Sequence, residues 1–237
     1  MHVEPPTHAP TNLKELGIHY VMIVLGILTA LGLEAGVEAL HHRRLANHTI
    51  EQVQTELRAN LAEVRSGVEK NQKVLAGVDA LYEDAAVLAR QGDKAAPDQL
   101  RILLRERLRI SLFTPSLRRD AWDTAVADQA LVHMPHEALR RLSEAYTAQR
   151  EAQQVITSTI NTTATFTRLS DVAVDADFGR ADPVEVLKAL HSYRMTLNAV
   201  LGVERDLAQQ LAESLKEANT AVPAASAASA GGAASTH

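Results

Sequence analysis

Carboxylates and imidazoles one helical turn apart are the nearest this sequence comes to a reactive constellation. Glu34, Glu38, His41 and His42 lie close together, and at 3.6 residues per turn Glu38 and His42 share a helical face from which both reach one zinc ion. Two ligands do not close a tetrahedral site and nothing in the chain order supplies a third, so the alternative reading is polar anchoring beside an apolar segment. His133 and His136 flank Met134-Pro135, where capping or a surface position suits them better than ligation. Residues 171–182 carry four aspartates and Gly179, but lack the central glycine and terminal glutamate of a calcium loop, and read as a plain loop. No G-x-S-x-G, H-E-x-x-H or phosphate-cradling glycine loop occurs. Without cysteine there is no thiol nucleophile, thiolate site or disulfide. The expectation is a chain with no catalytic residues, no metal and no cofactor.

Two softer signals concern binding. Gln149, Gln153 and Thr163 interrupt an otherwise apolar stripe, and such residues suit a polar cavity between helices that takes a small ligand; equally, threonines in helices bond back to their own carbonyls. Residues 101–119 hold six arginines and one glutamate, enough positive charge for an acidic partner or for a solvated face. The net charge is -5 and aromatics make up 3% of the chain, which argues against nucleic acid as a partner because bases find few stacking platforms.

What must position these residues is organised around residues 16–33, LGIHYVMIVLGILTALGL, a run without a formal charge. As a helix it is about 27 Å long, close to the hydrocarbon thickness of a bilayer. It reads as a single transmembrane anchor, with the lipid bilayer as first partner. A cleaved signal peptide is the rival; the leader lacks a basic n-region, the run exceeds the usual h-region, and helical periodicity continues past Ala30 and Gly32. Gly26, Ala30, Gly32 and Gly36 space small residues for close helix–helix contact, with a second copy of the chain or with another membrane protein. One lysine precedes the run and Arg43 and Arg44 follow it, a count that places the remainder in the cytoplasm.

The rest reads as all-α. Proline-rich residues 1–12 form a disordered leader, 13–40 the anchor and juxtamembrane segment, 41–219 a helical bundle domain, and Ala/Ser/Gly-rich 220–237 a disordered tail. Ile50, Val53, Leu57, Leu61, Val64, Val68, Leu75, Val78 and Tyr82 recur at helical spacing with Asn71 in the seam, so the anchor continues into one long amphipathic helix. Shorter helices are expected from Pro97 and from Thr114-Pro115 through Trp122 to Leu131. Another should run from His136 through Phe166, and a last one from Asp182-Pro183 to Asn219. The whole should be an antiparallel bundle.

Two stretches resemble a family of uncharacterised bacterial single-pass membrane proteins. Ile23 to Leu31 reads V-x-G-I-x-x-A-L before acidic juxtamembrane residues. Thr114-Pro115-Ser116, Ala121-Trp122-Asp123 and Leu139 to Tyr146 are similar to that family's Pro/Ser break, aromatic helix and Leu-x-x-x-Tyr helix. The family's juxtamembrane Asn-Trp-Asn and basic leader cluster are absent. The resemblance implies a bacterial inner-membrane protein with its N-terminus inside and a helical domain in the periplasm, and it implies no activity. On this sequence we expect a membrane-tethered, non-enzymatic helical scaffold or sensor that acts through helix–helix contacts, or else a small-ligand-binding helical domain.

Overall fold

The computed structural model describes residues 13–91, 96–162 and 165–221; the expected leader, the break at Gly92-Asp93, Thr163 and the tail from 222 onward lie outside the described residues. Among the described residues every regular element is helical, as expected. Helix α1 (Leu13–Gln91) is a single run of 79 residues, about 120 Å long, because no proline interrupts the passage from its apolar first part to its amphipathic second. Helix α6 (Pro183–Ala221) runs back along it, and this pairing is the most extensive in the molecule. Helix α4 (His136–Thr162) packs on α6, while α2 (Ala96–Arg107) and α5 (Thr165–Asp177) close the far end against α1 and α6. Helix α3 (Asp120–Ala127) and a 3₁₀ turn (Ala130–His133) lie on α1 nearer the apolar part.

Two apolar clusters hold this bundle. Val53, Leu57 and Val64 of α1 meet Trp122, Leu142, Tyr146, Leu207 and Leu211 in one; Leu81 and Ala85 meet Leu100, Leu104, Leu169, Leu190, Tyr193 and Leu197 in the other. Full burial of each large side chain contributes about 1.5–3 kcal/mol. Between the clusters lies a polar level where Asn71 and Glu204 are wholly buried.

Several helix starts follow the local chemistry that predicted them. The Asp182 carboxylate accepts from the Val184 N–H at 2.8 Å ahead of Pro183, an N-cap that leaves Glu185 free to pair with Lys188. Two expectations need correction. The helix expected from Thr114-Pro115 begins only at Asp120 and ends at Ala127, since residues 108–119 lie outside any regular element; Ser111, Phe113 and Arg118 give their backbone groups to side chains of other helices. The aspartate-rich stretch read as a loop is helical through Asp177. Gly179 ends that helix at φ 67°, its N–H donating to the Ala176 carbonyl and the Arg180 N–H to the Asp175 carbonyl. The helix expected from His136 through Phe166 is helical over His136–Thr162 and again from Thr165, with residues 163 and 164 outside the described residues.

Candidate functional site

Residues 108–119, outside any regular element, form a strap that from Phe113 to Arg118 descends the bundle antiparallel to α1. Each of three strap residues gives both backbone groups to one side chain. The Tyr193 hydroxyl donates to the Ser111 carbonyl at 2.5 Å and accepts from its N–H at 2.9 Å. Asn71 donates through Nδ2 to the Phe113 carbonyl at 2.8 Å and accepts through Oδ1 from its N–H at 2.9 Å. Asn60 does the same for Arg118, at 2.8 and 2.9 Å. The register has a simple origin: the eleven residues of helix from Asn60 to Asn71 and the five residues of extended chain from Phe113 to Arg118 both rise about 16 Å. An asparagine amide offers a donor and an acceptor side by side, as a neighbouring strand would, so the strap meets the bundle through a ladder made of side chains.

Behind these clamps stands a second row. Asn60 also donates to Gln149 Oε1 at 2.8 Å. Glu56 accepts from the Ala121 N–H at 2.8 Å and from the Tyr146 hydroxyl; burial and that carboxylate push the tyrosine's pKa up. Asn71 donates to both Glu204 oxygens, at 3.2 and 3.0 Å. Glu204 is fully buried and its pKa lies above the ordinary glutamate value, with burial the cause and the Asn71 bond opposing it. Opposite stands Gly67, where a Cβ would come within 3.2 Å of Glu204 Oε1.

A raised carboxylate pKa makes the fold favour the protonated acid. Stability from this group is therefore full below the ordinary value of 4.5 and is lost as pH rises from there through the folded pKa. Replacing Glu204 with Gln should raise the urea midpoint at pH 8, and the gain should vanish by pH 4. A gain of equal size at both pH values would show that ionisation of Glu204 is not its source.

At the other end, α1 extends beyond the bundle as a bare arm. The first α1 residue buried by the bundle is Ala46. Ile18, Met22, Ile23, Leu33 and Val37 are each more than 60% exposed. The apolar window of the helix has a mean hydropathy of 2.1 with none of it buried, so α1 is long and apolar enough to cross a membrane. Gly26, Gly32 and Gly36 stand open, a Cβ at any of them meeting nothing in the chain.

The remaining candidates fall apart or find bland partners. His42 stacks on His133 with ring centroids 3.8 Å apart and lies 4.0 Å from Glu38, so it pins the 3₁₀ turn to the base of the arm. Among the described residues no three histidine or acidic side chains converge at metal-ligand spacing. Gln149 is buried on Asn60, whereas Gln153 is exposed and lines an open groove with Thr157 and Asn161, so the structure parts the two residues that a shared cavity would need. Of the arginines, Arg101 pairs with Asp98, Arg107 with Asp84 and Arg119 with Asp123, leaving a mixed-charge face. Asn71 was visible in sequence as a polar residue in the seam; Asn60, Glu56, Tyr193 and Glu204 sit at helical spacing among apolar neighbours, and only their cross-chain partners reveal a role. Comparison with protein-family models, with curated proteins and with solved structures finds no match.

Proposed function

We propose that this chain is a membrane-tethered, non-enzymatic helical module that works by presenting its bundle to other helices. The observation that carries the reading is the bare apolar arm. A helix of this hydropathy that its own fold leaves uncovered transfers about 25 cal/mol per Å² of apolar surface from water to lipid on insertion, and its backbone is already bonded internally. Support also comes from what the bundle does with its polar groups: Asn60, Asn71 and Tyr193 bind the strap, Glu56 binds the first turn of α3, and all serve architecture. The resemblance to single-pass bacterial proteins implies an anchor in the inner membrane and a bundle in the periplasm, against the count of Lys14 before the span and Arg43 and Arg44 after it.

Alkaline carbonate should leave the full chain in the membrane pellet, and a C-terminal alkaline phosphatase fusion should be active while a green fluorescent protein fusion stays dark. Release by carbonate would end the anchor reading. An active fluorescent fusion with inactive phosphatase would put the bundle in the cytoplasm.

A further inference from the structure

At the base of the bundle two imidazoles lie face to face. His42 stands one helical turn before Ala46, the first α1 residue that the bundle buries. Its ring stacks on that of His133 with centroids 3.8 Å apart and planes 16° from parallel, and both residues are half-buried. The second ring is carried by a marginal element. The 3₁₀ turn is four residues long, and its hydrogen bonds from Val132 to Gln129 and from Met134 to Leu131 measure 3.3 and 3.2 Å, at the weak end of the normal range. Gln129 enters it at φ 55°, a left-handed conformation that strains a residue with a side chain. Ala130 and Met134 are buried while Val132 is 79% exposed, so the turn stays on α1 through a few apolar contacts and the stack.

Imidazole is the side chain that ordinarily gains its charge between about pH 8 and 5. Two neutral rings stack favourably. One proton is tolerated as well, because a cation rests on the face of a neutral ring and Glu38 Oε1 lies 4.0 Å from His42 Nε2. A second proton sets like charges 3.8 Å apart in a half-buried place with one carboxylate to share. Neighbouring groups do not offset it. Among the described residues Glu38 is the one acid within 4.0 Å of either ring. On α1 the His41 ring is 6.2 Å from that of His42, and Arg43 and Arg44 follow. Asp123 of α3 is engaged by Arg119, Glu137 of α4 by Arg140 beside His136, and Glu213 of α6 by Gln209 ahead of Lys216.

We propose that the His42–His133 stack is an acid-released latch: the 3₁₀ turn stays on α1 while at most one ring is protonated and lifts away when both are. Release frees the base of the arm from the bundle and leaves the two apolar clusters and the strap in place. The latch does not rest on the tethered-module reading, since both rings lie outside the apolar run.

The chain has no cysteine, so a pair of spin labels can be placed on the full-length protein in detergent at Val132→Cys and Glu51→Cys, both exposed sites. Double electron–electron resonance then reads the distance between the turn and α1. Its distribution should be narrow at about pH 7.5 and about twofold wider or more at about pH 5. A reference pair at Glu69→Cys and Asp206→Cys, exposed on α1 and α6, should not change. His42→Phe and His133→Phe each keep an aromatic ring without its charge, and either should hold the turn in place at both pH values. A parent distribution equally narrow at the two pH values would overturn the latch. So would widening at about pH 5 in both variants, which would assign the effect to another group, or equal widening of the reference pair, which would mean that the whole bundle loosens.

Discussion

Replacing Asn71 with Ala should cost the bundle about 3–4 kcal/mol of unfolding free energy, the largest loss expected from any single polar side chain here. One amide makes three contacts at once: it donates to the Phe113 carbonyl, accepts from the Phe113 N–H and solvates the Glu204 carboxylate. Truncation leaves all three without a partner in a place where Asn71 and Glu204 are shut from water. Stranded groups cost more than the bonds themselves contribute, because their desolvation is no longer offset. Urea unfolding of the full chain in detergent, followed by circular dichroism, measures the loss. Adding Glu204→Leu to the variant should recover part of it by removing the stranded carboxylate, although Phe113 stays unpaired. A single variant within about 1 kcal/mol of the parent would mean that water enters freely between the two apolar clusters, and the clamp would lose its standing as the joint of the bundle.

An effect of another kind is expected in the arm. Leu25→Arg together with Leu28→Arg places two charges near the middle of the apolar window, each about 2.5–3.5 kcal/mol unfavourable at the centre of a membrane helix, and forfeits two favourable leucines. The sum, about 6–8 kcal/mol, should move the chain from the carbonate pellet to the soluble fraction. Both residues are exposed and lie far from the bundle, so helicity of the bundle should survive. Val132→Arg, at the most exposed large apolar side chain of the 3₁₀ turn, is a matched control that should leave membrane retention unchanged. Retention of the double-arginine variant would show that the arm is not held by lipid.

The two outcomes probe features of very different legibility. The arm could be read from residues 16–33 directly, since hydropathy and length are properties of a contiguous run. The start of α6 was as plain, because Asp182, Pro183 and Glu185 act within one turn. The strap was not. Thr114-Pro115-Ser116 carries good helix-start chemistry, yet no helix begins before Asp120 because Asn60 and Asn71, more than forty residues away in sequence, take backbone groups of Phe113 and Arg118 that a helix would have used. Helix α5 failed for a different reason. Leu169, Val172 and Ala176 have helical spacing and are buried, but three aspartates on the exposed side, with Gly179 and Asp182 beyond, suggested a loop, when the glycine in fact closes the helix.

Periodicity, capping and hydropathy are local, and through them the amino-acid order alone set the all-α class, the uninterrupted α1, the start of α6 and the apolar arm. Which buried polar groups meet, and which side of the arm is left open, depends on how distant segments are brought together. Gln149 and Gln153 illustrate the first: one turn apart on α4, they face a buried amide and open water. Gly26 and Gly32 illustrate the second. They look equivalent in sequence, and only the bundle resting on Ala46 and Val53 distinguishes them, with Gly32 near the side of α1 that the bundle covers higher up and Gly26 nearly opposite.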